Sequence, residues 1–128
     1  MTRIWRALAL CGVFASVAAT PSQGPALDSV MREKLGHAQK ALEAVVTSDW
    51  VALETHSREL ERLTDDRRWT VLKYPEYAQH SAAFLRVVQA LHKAASQREL
   101  EEAPKAYANL TLECVKCHQY LARQRIAK

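Results

Sequence analysis

The sequence predicts an all-α fold: an antiparallel up-down-up-down bundle of four helices. Three observations point that way. Apolar residues recur at three- and four-residue spacing through four separate stretches, the period of one helix face. No stretch alternates apolar and polar residues as a half-buried strand would, and no internal repeat is visible. The links between the stretches are short, so consecutive helices must fold back beside one another.

The first helix is expected over residues 27–46. Leu27, Val30, Met31, Leu35, Ala38, Leu42, Val45 and Val46 form its stripe, with Asp28 and Ser29 as capping candidates. Thr47-Ser48-Asp49 breaks it and supplies the next N-cap. The second helix, residues 50–66, turns Trp50, Leu53, Leu60 and Leu63 inward; Arg58, Glu59, Glu61 and Arg62 mark a solvated face. Residues 67–76 contain Pro75 and read as a loop. The third helix, residues 77–96, carries Phe84, Leu85, Val88, Leu91 and Ala95. The fourth starts at Glu99 or Leu100 and runs toward Ile126. Pro104 falls near its first turn, where a missing N–H costs little. Its inward stripe is Ala103, Tyr107, Leu110, Cys114, Cys117 and Leu121.

That stripe contains Cys114-Val-Lys-Cys117-His118, a CxxCH pentapeptide and the attachment signature of one covalent haem c. Each sulfur can add to a haem vinyl group, and the adjacent imidazole can bind the iron. On a helix, positions three and four apart share a face. Both sulfurs and His118 can therefore meet one macrocycle. Competing readings fit less well. A structural zinc wants four ligands, and no second CxxC or HxxxH occurs. A thioredoxin-like motif belongs beside a βαβ pattern. A Cys114–Cys117 disulfide would leave His118 without a role.

The beginning of the chain reads as an export signal over residues 1–19. Arg3 and Arg6 form a basic start, an apolar run follows, and Val17-Ala18-Ala19 suits a small-residue cleavage site. Pro21 and Gly24 cut the run too short for a good membrane span, so no stable span is expected after cleavage. Cys11 would be discarded with the signal, since bulky Leu10 before it argues against lipidation. Residues 20–26 read as a flexible leader, and residues 27–128 as a c-type cytochrome four-helix bundle with haem near one end. Processing leaves only the two motif cysteines, so the haem would serve as the covalent staple of a small exported domain. The formal net charge of +4 falls with the loss of Arg3 and Arg6. No clustered basic arm remains, and nucleic acid is not an expected partner.

A four-helix bundle with CxxCH near the end of its last helix resembles the cytochrome c-prime family over essentially the whole mature chain. Ser29-Val30-Met31 looks like that family's distal segment, which faces the iron opposite the histidine. Five-coordinate, gas-binding members commonly carry leucine or another non-ligand there; the low-spin branch carries a ligating methionine. The resemblance therefore implies His118 and Met31 as axial ligands. Periodicity alone would make Met31 a core residue, because methionine fills irregular gaps. The bundle topology brings the start of helix one to the level of His118, and this favours the ligand. Ala122 stands where the family often has a basic residue, a departure that alters the proximal electrostatics.

Other residues are weaker candidates. His80 is the best substitute for Met31, whereas His37, His56 and His92 read as surface or satisfied interior groups. Trp69, Tyr74 and Tyr77 are candidates to cover the haem edge, and Arg67 and Arg68 to meet its propionates. No nucleophile–base constellation suggests an enzyme. The expected function is single-electron transfer to redox partner proteins in the periplasm. The alternatives are a five-coordinate protein that binds NO or CO, and a relay subunit of a larger redox complex. Whether two copies pair through exposed helix faces stays open.

Overall fold

The computed structural model describes residues 24–124, which form four α-helices and, among the described residues, no strand. The expected export signal and most of the expected leader lie outside the described residues. Helix α1 spans Gly24–Thr47, α2 Trp50–Leu63, α3 Pro75–Gln97 and α4 Glu102–Arg123. No helix among the described residues is long and apolar enough to cross a membrane.

The ends of the helices follow local chemistry. α1 begins three residues ahead of Leu27, taking Gly24, Pro25 and Ala26 from the expected leader. Proline suits a first turn, whose N–H groups have no intrahelical acceptor. Ser48 (φ 55°) is left-handed and ends α1; Asp49 then accepts a 3.0 Å hydrogen bond from the Ala52 N–H and caps α2. α2 stops at Leu63, earlier than expected, because Thr64, Asp65 and Asp66 turn their N–H groups onto carbonyls three residues back. Pro75 opens α3 rather than sitting in the loop before it, with Glu76 in the first turn. Arg98 (φ 55°) closes α3 in the left-handed cap geometry, its N–H directed at the Ala94 and Ala95 carbonyls.

The core is built from Leu53, Leu60 and Leu63 of α2, Phe84, Val88 and Leu91 of α3, and Ala103, Leu110 and Leu121 of α4. These are the positions that the helical stripes single out. α1 departs from its stripe. It buries Val30, Lys34, Ala41 and Ala44, while Leu35 is 58% exposed and Val46 76%. The helix is turned by about one residue position relative to its apolar line, so a lysine points where a leucine was expected. Its packing partners account for this: the Lys34 ammonium has two aromatic faces to rest on, described below.

Contact between helices is richest for α3 with α4, α1 with α2, and α2 with α3, and sparsest for α1 with α4. The Tyr107 hydroxyl of α4 donates a 2.9 Å bond to the Ala38 carbonyl of α1. This tie lies at one end of the site.

Candidate functional site

The sparse α1–α4 seam holds a groove of ≈440 Å³ lined by Met31, Lys34, Leu35 and Ala38 on one wall and Cys114, Val115 and His118 on the other, with Arg32 at its edge. Three of the four residues singled out from the sequence, Met31, Cys114 and His118, thus border one apolar space. Cys117 borders the core instead, half-buried, one turn from Cys114. Both thiols are free. Their positions on α4 follow from helical spacing alone, because residues 114, 117 and 118 fall on one face.

Burial sets the acid–base character of these groups. It pushes the Cys117 thiol up, against the opposing pull of the Lys34 ammonium. It lowers the pKa of His118, and Lys34 adds to that effect. Both shifts favour neutral groups, and a neutral imidazole is the form that donates a lone pair to a metal.

Lys34 is the residue that sequence reasoning missed. It is only 6% exposed, and among the described residues it has no carboxylate partner. Its Nζ lies 3.8 Å from the centre of the Phe84 ring and 4.4 Å from that of Trp69. Such cation–π contacts each contribute about 0.5–2 kcal/mol. Burial lowers its pKa, and the two motif cysteines act in the other direction. The available signal is its position, four residues after Val30 and three after Met31, which puts it on their face of the helix. Counting apolar residues alone passes over a lysine there.

The aromatic residues are placed in two ways. Trp69 and Tyr77 are buried, with the Trp69 indole N–H donating to Ser81 Oγ and the Tyr77 hydroxyl to the Trp69 carbonyl. Burial holds the Tyr77 phenol up at about 12. Neither ring borders the groove directly; Trp69 reaches it through Lys34. Tyr74 is exposed. Arg68 is already bound to Asp66 and Glu33 and donates to Ser29 Oγ at 2.7 Å. Arg67 is exposed.

The remaining histidines lie away from the groove lining. The His80 ring packs against Tyr120 at a 39° tilt, ring centres 5.3 Å apart. His92 faces Glu61 at 3.5 Å. His37 and His56 meet across α1 and α2, their Nδ1 atoms 3.1 Å apart.

A covalently attached haem fits these residues. Two free half-buried thiols and an imidazole share a helix face, and the apolar space before Cys114 and His118 is bordered by a thioether. Among the described residues no three His, Cys, Asp or Glu side chains converge to hold an ion by themselves. No protein-family model matches the chain, and neither a curated protein nor a solved structure matches it.

Proposed function

We propose that this chain is an exported, periplasmic monohaem c-type cytochrome of the cytochrome c-prime kind that carries single electrons between redox partner proteins. One observation carries the reading: Met31 of α1 borders the same apolar groove as Cys114 and His118 of α4. An up-down arrangement of the helices is part of the proposal. Pairs that join α1 to α2 and the turn after it support this arrangement: His37–His56, Glu33–Arg62 and Ser29–Arg68. The first position falls as the second rises, as it does between antiparallel neighbours.

When bound, the haem supplies an iron that gains and loses one electron. The chain's own residues do the rest. Cys114 and Cys117 tether the ring to α4 through their sulfurs. His118 and Met31 would hold the iron through a nitrogen and a thioether sulfur, a pairing that would favour a higher potential than histidine alone. Leu35, Ala38 and Val115 present apolar surface that excludes water from the ring face. With both residues held in place by their helices, neither would have to leave during electron transfer.

The visible spectrum of protein matured in a competent host tests this. Sharp low-spin bands with a methionine-to-iron charge-transfer band in the oxidised form are expected, and Met31→Ala should turn the spectrum high-spin. An unchanged low-spin spectrum in that variant removes Met31 from the iron. A high-spin parent spectrum favours the NO- or CO-binding alternative instead.

A further inference from the structure

We infer that Lys34 is an electrostatic tuning residue, a buried cation that raises the reduction potential of a haem held at Cys114, Cys117 and His118. The inference rests on the cytochrome reading above.

Charge balance around Lys34 carries the argument. The nearest acidic group on its own helix, Glu33, is engaged by Arg62 and Arg68. Farther out, Asp28 pairs with Arg32. On α4, Glu113 pairs with Lys116. Lys34 itself forms no ion pair among the described residues and rests on the faces of Phe84 and Trp69. Aromatic faces hold a cation through their quadrupole but leave its net charge in place. Burial weakens solvent screening, so that charge acts over a longer reach than a surface lysine's would.

The field is directed at the site. Lys34 borders the groove with Met31, Cys114 and His118. Taking up one electron from an external donor converts ferric to ferrous iron and lowers the charge at the metal by one. A fixed positive charge nearby repels the ferric state more than the ferrous state. The reduced form is thereby favoured.

The experiment compares equilibrium redox titrations of the holoprotein with those of Lys34→Met, Lys34→Gln and Lys34→Arg, after covalent haem has been quantified on denatured protein. The neutral variants should shift the reduced-to-oxidised ratio at fixed potential by about tenfold toward oxidised, which is 59 mV for one electron. Lys34→Arg should keep most of the parent potential. Neutral variants that retain haem at the parent potential overturn the inference while leaving the cytochrome reading intact. So does an arginine variant that shifts as far as methionine. If neither neutral variant retains haem, Lys34 is structural and the inference falls. A parent protein without covalent haem overturns both.

Discussion

Helix α4 is closed on one side and open on the other. Toward α3 it meets a neighbour rich in buried alanines: Ala94 and Ala95 on α3, with Ala103 and Ala106 at the start of α4. Small side chains let two backbones approach closely, and this seam is the most extensive in the molecule. Toward α1, α4 offers Cys114, Val115 and His118 to Met31, Leu35 and Ala38, and the helices stand apart around a groove. The difference separates two jobs. The α3–α4 side supplies packing, and the α1–α4 side leaves an apolar groove.

The largest expected effect comes from attacking the closed side. Leu110 is buried at 1% exposure, and Leu110→Ala should cost about 2–5 kcal/mol through lost transfer energy and the cavity left behind. Leu35→Ala on the open side should cost the haem-free protein less than about 1 kcal/mol, since most of that side chain already meets water. Urea unfolding of both variants without haem measures the contrast. Equal losses would mean that the groove closes when it is empty.

A smaller effect is expected at the tie between the two sides. Tyr107→Phe removes the hydroxyl that donates to the Ala38 carbonyl and should cost about 1 kcal/mol. Amide hydrogen exchange should then rise in α1 and α4 near the groove more than in α3.

The α1–α2 seam differs from both in that it titrates. Burial, then the neighbouring His37 and Lys40, lower the His56 pKa, with Glu59 opposing. The unfolded chain therefore binds the proton more readily. Stability is intact above the ordinary value of 6.5 and falls as pH drops below it. Between pH 7.5 and 5.5, His56→Gln should lose less Tm than the parent. Part of the slope should survive in the haem-free variant, because His118 is lowered too. Asp66 acts in a more acidic window. Hydrogen bonds from the Arg68 side chain and backbone bring it down from 3.8 to about 2. Its contribution is present above 3.8 and disappears as pH falls toward 2, so Asp66→Asn should flatten that limb of a Tm-against-pH curve.

The smallest effect belongs to an apolar residue that the fold leaves outside. Val46 is 76% exposed, and Val46→Ala should change stability by less than about 0.5 kcal/mol. A large loss would place Val46 under a covering surface in solution.

Much of the fold and part of the site are legible in the order of residues along the chain. Fixed spacing puts Cys114, Cys117 and His118 on one face of any helix that contains them. The stripes of α2, α3 and α4 correctly mark Leu53, Leu60, Phe84, Val88, Leu91 and Leu110 as core. Ser57 is buried on α2 without belonging to that stripe; its hydroxyl is satisfied by the Glu54 carbonyl at 3.1 Å. Such local satisfaction leaves no trace in a hydrophobic pattern. Cross-helix pairs such as His37–His56, and the capture of Arg68 by Asp66 and Glu33, depend on how two helices are set side by side.

By itself the sequence determined four helices, their approximate limits, and the shared face of Cys114, Cys117 and His118 on the last of them, because each follows from spacing within a single segment. Tertiary structure alone decided how α1 is turned about its axis. Periodicity shows that a helix has an apolar side, but its neighbours choose which side is buried. Here the rings of Trp69 and Phe84 accept the Lys34 ammonium, leaving Leu35 at the groove and a positive charge inside the bundle.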